Sequence, residues 1–261
     1  MIESAIRLAI SSVAQFGVDP GRLARSIGGI PAYVRDLVHY AAMASKTPEA
    51  VPIGALYPIM NERSTQAGTA SGHYFHQDLW AARKIFKANP RRHVDIGSSV
   101  AGFVAHLLVF RAVELVDIRA LESEVSGLTF VRSDATNLKE FADNSLESIS
   151  TLHAGEHFGL GRYGDPVDPV AHHRFMRSLA RVLRKDGRLY FSVPCGREKL
   201  YFNAHRVLSP DTVLRAFSDL KLVSFSCVKD DERLREDCAP QEVANETYGC
   251  GLFEFTKADS A

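Results

Sequence analysis

The sequence lacks an excess of either charge: 31 lysines and arginines face 31 aspartates and glutamates, for a formal net charge of +0 with histidine neutral. No overall field therefore draws the chain to nucleic acid or anionic lipid. Cysteine is scarce too. Cys195, Cys227, Cys238 and Cys250 are widely spaced and form no close pair of the zinc-binding kind, which reads as a reduced, cytoplasmic protein. Long apolar runs are missing. The opening MIESAIRLAISSVAQFG is interrupted by Glu3 and Arg7 and is too short to span a bilayer, so an amphipathic helix is expected there and neither a signal peptide nor a stable membrane insertion. There is no internal repeat. What is present, 46% hydrophobic residues over 261 positions, suffices for one α/β domain and an extension.

The first 90 residues lack strand-helix alternation and read as a helical extension capping the domain, with residues 91–261 as the domain itself. A helix is expected over 2–16, a break at Asp19-Pro20-Gly21, and a second helix over 31–44. Pro48, Pro52 and Pro58 then mark a connecting stretch. A polar loop follows, carrying Arg63, His73, Tyr74, His76 and Asp78, well placed to close over a cofactor. From about Gln77 an amphipathic helix points Leu79, Trp80, Ala82, Ile85 and Phe86 at the core.

The stretch HVDIGSSVAGFVAHLLVF, starting at His93, reads as a strand, a tight turn at Gly97 and a helix. Glycine there lets backbone approach a ligand closely. The next strand, AVELVDIRA, ends in Asp117 about 20 residues after the turn, where doubly wound folds hold ribose hydroxyls. Ser99 and Ala101 stand where a dinucleotide fingerprint needs its second and third glycines. A pyrophosphate cradle, and with it a dinucleotide oxidoreductase, is thereby disfavoured, while a nucleoside without phosphates still fits.

LTFVRSDAT reads as a third strand ending at Asp134, which with Thr136 also suits the cap of a short helix. SLESISTL reads as the fourth. Directly after it, HAGEHFGLGRYGDPVDP gathers His153, Glu156, His157, Arg162, Tyr163, Asp165 and Asp168 among four glycines, the composition of a shaped binding loop. A helix over 171–183 is expected to stop at Lys185-Asp186-Gly187, with Gly187 as its left-handed residue. GRLYFSVP reads as strand five, and the loop after it offers Asn203, His205 and Arg206. Ser209-Pro210 starts another helix. LKLVSFSCV and YGCGLFEFTK read as the last two strands, joined by a surface loop or short helix.

These segments resemble class I S-adenosylmethionine-dependent methyltransferases; RVLRKDGRLYFSVP is similar to the RVLKPGG turn and strand of many of them. HYFHQDLWAARKI, HVDIGSS, EHFGLGRYGDPVDP and FNAHRV, in this order, resemble a bacterial family of unknown function linked to surface-polysaccharide genes. The resemblance implies a Rossmann-like, mainly parallel seven-stranded sheet with an antiparallel last strand. It implies S-adenosyl-L-methionine as cofactor, with Asp117 on the ribose, Asp134 on the adenine, and Asp95, Gly97, Ser98, Ser99, Ile118, Ala135, His153 and Tyr74 around it. The expected reaction is O-methylation of a sugar hydroxyl, in a glycan or an activated sugar. His157 is the candidate base, Glu156 its orienting partner, and His153 and His205 its rivals. Arg162, Tyr163, Asp165, Asn203, His205 and Arg206 are the candidate substrate contacts. His153, His157, His172, His173, Asp165 and Asp168 could ligate a divalent ion, but their spacing defines no ligand set and no metal is assigned. The alternatives are a non-catalytic methyltransferase-like scaffold or regulatory protein, or a methyltransferase acting on another small molecule, and the chain is compatible with a homo-oligomer.

Overall fold

The computed structural model describes residues 12–258. They fall in two compact units, Met1–Thr69 and Ala70–Ala261. Most of the helix expected over 2–16 lies outside the described residues; 12–15 are helical. In the first unit, helix α1, Pro20–Ala44, is capped by Asp19, which accepts a 2.9 Å bond from the Arg22 amide. The expected break at residues 19–21 is therefore a helix start, with proline at its first position, where a missing N–H costs nothing. The helix also runs through Pro31, expected to begin a separate one. Proline there removes one hydrogen bond, which a helix of 25 residues tolerates. Arg63 pairs with Asp36 of α1 at 2.5 Å.

The second unit begins with helix α2, Gly72–Ala88. The expected boundary at residue 90 lies beyond this helix, which packs with the sheet. His73, Tyr74, His76 and Asp78 stand on its first turns, not on a loop. Its inward face is Gln77, Asp78, Trp80, Ala81, Ala82 and Ile85. Phe86 points outward and meets Phe110 edge-on.

Strands β1 (Val94–Ile96), β2 (Val113–Asp117), β3 (Leu128–Arg132), β4 (Leu146–Leu152) and β5 (Leu183–Cys195) run parallel in the order β3-β2-β1-β4-β5. Consecutive strands step outward on one side of β1, and β4 starts the other side, so the winding reverses between β1 and β4. The antiparallel last strand, β10 (Gly249–Thr256), is inserted between β5 and β8 (Lys221–Val228). An eighth strand, the two-residue β9 (Leu234–Arg235), pairs with β8 inside the segment expected to be a loop or short helix; a 3-10 turn, Pro240–Val243, follows it. Strands β6 (Lys199–Tyr201) and β7 (His205–Val207) form a separate hairpin.

One face of the sheet packs Phe175, Met176 and Leu179 of helix α4 (Ala171–Val182) and Val213 of helix α5 (Pro210–Ala216). The other packs Trp80, Ala81 and Ile85 of α2 with Phe103, Val104 and Leu107, which lie on a π-type turn, Val100–Val104, and the short helix α3, Ala105–Leu108. Helix α4 passes directly into β5 at Leu183, earlier than expected. Asp186, φ +58°, is the left-handed residue there, not Gly187. A Cβ on Gly187 would stand 2.9 Å from the Arg184 carbonyl and 3.0 Å from that of Glu147, so glycine serves close backbone approach. The short helix expected after Asp134 is a series of turns. Among the described residues no helix is long and apolar enough to cross a membrane.

Candidate active site

The turn after β1 is built on a buried polar chain. Asp95, fully buried, accepts from the Ser98 amide (3.1 Å), the Ser98 hydroxyl (2.7 Å) and the Ser150 hydroxyl (2.5 Å). His93 bridges Ser148 and Ser150 at 2.8 and 2.9 Å. Burial holds the His93 ring neutral, its pKa down to about 3, and pushes the Asp95 carboxyl up to about 6. With this chain fixing Ser98, Gly97 turns at φ +70°, and a Cβ there would lie 3.1 Å from that of Ala154. The backbone at Gly97 thus forms part of a wall with no side chain on it.

That wall belongs to a largely apolar cavity at the carboxyl ends of β1, β2 and β3. Gly97, Asp117, Ile118, Asp134, Ala135 and His153 line it among others. Asp117 is held by Arg119, whose Nη2 and Nε donate to its two oxygens at 2.7 and 3.0 Å. Asp134 Oδ1 accepts from the Thr136 amide and hydroxyl at 2.9 and 2.8 Å, the capping-type contact expected of it. A more polar recess adjoins the cavity, sharing Gly97, Asp117, Arg119, His153, His157 and Tyr163. It adds Tyr74, Ser98, Ser99, Glu156, Arg162, His205 and Tyr248.

Glu156 and His157 lie on a 3-10 turn, Gly155–His157, directly after β4. His157 Nδ1 donates to the Ala204 carbonyl at 2.6 Å, which leaves Nε2 as the acceptor, 3.6 Å from Glu156 Oε1. Burial pulls the His157 pKa down to about 4 and pushes that of Glu156 up to about 8. The two meet near neutral pH as imidazole and carboxylic acid, not as an ion pair. His153, at φ +51°, sits behind them; its Nδ1 is 3.9 Å from Glu156 Oε1, and its Nε2 is 3.0 Å from His73 Nδ1.

The sequence-predicted residues are therefore only partly gathered. Asp95 is fully buried and supports the turn through Ser98 and Ser150. Asp165 accepts from the Gly159 and Tyr163 amides at 2.7 and 3.2 Å, shaping the loop at the edge of the apolar cavity. Arg162 donates to the Ala204 carbonyl at 3.1 Å and remains on the recess wall. Asn203 donates to the Leu160 carbonyl. Arg206 is buried and donates to the carbonyls of Glu156 and Phe158 at 3.2 and 2.7 Å, bracing the turn that carries His157. It lines a different cavity, with His172, His173, Arg177 and Arg215. Sequence reading missed Arg119, Ala154 and Tyr248. The first stands two residues past Asp117, where Asp-x-Arg is a local signal; Tyr248 reaches the site from the foot of β10 and has none.

The family model described as Caenorhabditis protein of unknown function, DUF268, matches residues 95–232, just over half of the chain. The chain belongs to this family. Among curated proteins none matches the sequence. Among solved structures, the N-methyltransferase NodS from Bradyrhizobium japonicum, in complex with S-adenosyl-L-homocysteine, is similar at 12% identity. The match covers 72% of this chain and 89% of NodS, with a TM-score of 0.50. The YcgJ protein of Bacillus subtilis is 17% identical over 71% of this chain and 99% of its own, TM-score 0.49. The 1,6-didemethyltoxoflavin-N1-methyltransferase of Burkholderia thailandensis is 17% identical over 72% and 84%, TM-score 0.47. The fold is thus the Rossmann-like methyltransferase fold, with its antiparallel strand inserted near the sheet edge.

Proposed function

We propose that this chain is an S-adenosylmethionine-dependent methyltransferase acting on a hydroxyl of a sugar, in a glycan or an activated form. One observation carries the reading: an apolar cavity opens at the point where the sheet's winding reverses, with Gly97, Asp117 and Asp134 on its wall. The turn carries Ser99 and Ala101 in place of glycines, which suits a ligand without a pyrophosphate. In this reading Asp117 takes the ribose hydroxyls, trading part of its Arg119 contact, while Asp134 and Ala135 meet the adenine. Ile118 covers its face, and Gly97 gives the methionine moiety access to the backbone.

The cofactor supplies a methyl group on a positively charged sulfur. The chain supplies alignment and a proton acceptor. Tyr74, Tyr163, Tyr248, His205 and Arg162 line the adjoining recess, a mixture of aromatic faces and hydrogen-bonding groups that fits a polar, ring-shaped acceptor. His157 Nε2 is the base. An imidazole of pKa about 4 is weak, yet an oxygen receiving a methyl becomes strongly acidic as the bond forms, so a weak base suffices. A second reading, a binding scaffold without transfer, is favoured by the occupied carboxylate of Asp117. Calorimetric titration with S-adenosylhomocysteine decides between them: measurable binding is expected, and its absence leaves the scaffold. Labelled S-adenosylmethionine with a panel of sugars, nucleotide sugars and glycans then tests the acceptor, with mass spectrometry locating the new methyl group. Transfer to protein, quinone or nucleic acid alone overturns the sugar assignment.

A further inference from the structure

Behind the candidate base lies a group that methyl transfer does not require. One donor atom each from His73, His153 and Cys250 lies within 4.8 Å of the others; among the described residues this is the one histidine, cysteine and acid cluster that gathers three ligands. The residues come from α2, the end of β4 and β10, so the ladder of strands assembles them and no sequence spacing announces them. The facing nitrogens of His73 and His153 are 3.0 Å apart. Two nitrogens on one tetrahedral zinc stand about 3.3 Å apart, and a nitrogen and a sulfur about 3.6 Å. A shift of at most about 1.2 Å therefore seats the sulfur.

The surroundings of the three donors match those of a metal site. Metal-bound imidazoles usually give their second nitrogen to a carboxylate or a carbonyl. The other nitrogen of His153, Nδ1, is buried without a hydrogen-bond partner and points at Glu156 Oε1, 3.9 Å away. The Tyr248 ring stacks on the His73 ring at 4.9 Å.

We propose that His73, His153 and Cys250 bind a zinc ion. Two imidazoles and a thiolate are the donors zinc prefers, and they reject magnesium and calcium. Three protein ligands leave a fourth position open, as in catalytic zinc sites. His153 and Tyr248 also line the recess, so the ion would hold the acceptor's oxygen. That use rests on the transferase reading; the binding itself does not. Loading releases the Cys250 proton, so affinity rises with pH.

The test uses the full chain without cofactor. Purified protein is expected to carry about one zinc per chain. After chelation, cobalt(II) should give intense tetrahedral visible bands and a thiolate charge-transfer band in the near ultraviolet. Cys250→Ser should abolish the latter, Cys227→Ser should leave it, and His73→Ala should weaken cobalt affinity at least about tenfold. If Cys250→Ser fails to fold, His73→Ala, near the start of its helix, carries the comparison. A wild-type protein that gives neither band overturns the site, as does a charge-transfer band that survives Cys250→Ser. Homocysteine-nucleoside titration of the same samples keeps the two ideas apart, because cofactor binding can persist without metal and metal binding without cofactor.

Discussion

Two buried polar clusters flank the Gly97 turn, and they differ in how completely their groups are partnered. In the cluster below the turn, His93, Asp95, Ser98, Ser148 and Ser150 satisfy one another over distances of 2.5 to 3.1 Å. In the cluster beside it, His153 Nδ1, Glu156 Oε2 and His205 Nε2 are buried without partners. Unpartnered buried groups are destabilising, and a protein that keeps several together keeps them for a ligand or for chemistry. The first cluster supports the turn; the second lines the polar recess.

The contrast can be broken most decisively at Asp95. Asp95→Ala strands three donors and should cost about 3 kcal/mol in denaturant unfolding; a loss below about 1 kcal/mol would deny the first cluster its structural role. On the working side, His157→Asn should lower turnover at least about 100-fold while leaving S-adenosylhomocysteine affinity within about threefold. Turnover near wild type moves the base elsewhere, to His205. Asp117→Ala should weaken homocysteine-nucleoside binding about tenfold, with little change in melting, because its partner Arg119 is half exposed. Calorimetry and thermal melts on one sample measure both.

The smallest effect is a slope with pH. Glu156 carries a pKa of about 8 when folded against 4.5 ordinarily, so between those values the folded chain holds a proton that the unfolded chain has lost. Its contribution is full below pH 4.5 and falls away as pH rises to 8. His93 and His157, depressed to about 3 and 4, act in the opposite sense, but only below their ordinary 6.5. Asp78 and Asp95, raised to about 6, act in the same sense as Glu156 but have lost most of their protons by about pH 7. Between about pH 7 and 8, then, wild type should lose stability as pH rises and Glu156→Gln should not. Equal slopes in chemical denaturation would mean that Glu156 is ionised in the folded chain.

Much of the sheet was legible because apolar runs bounded by Gly97, Asp117 and Asp134 already fix strands, turns and their order. Hydrophobic spacing failed where tertiary packing chose between local options: α1 continues through Pro31, α2 begins five residues before Gln77, and Asp186 takes the turn offered to Gly187. Of the cavity lining, Gly97, Asp117 and Asp134 at the strand tips were legible. Asn203 and Arg206 were not correctly placed, since polar side chains after a strand can brace a loop as readily as face a ligand, and periodicity does not distinguish these.

By itself the sequence determined the parallel core, the glycine turn and the acids that follow β2 and β3, because these are local consequences of side-chain pattern and backbone freedom. Only the tertiary structure decided which buried groups are satisfied and which are not. Hydrogen-bond satisfaction depends on partners brought together by strand order: Ser150 reaches Asp95 from 55 residues away, and Cys250 comes within reach of His73 across the width of the unit's chain.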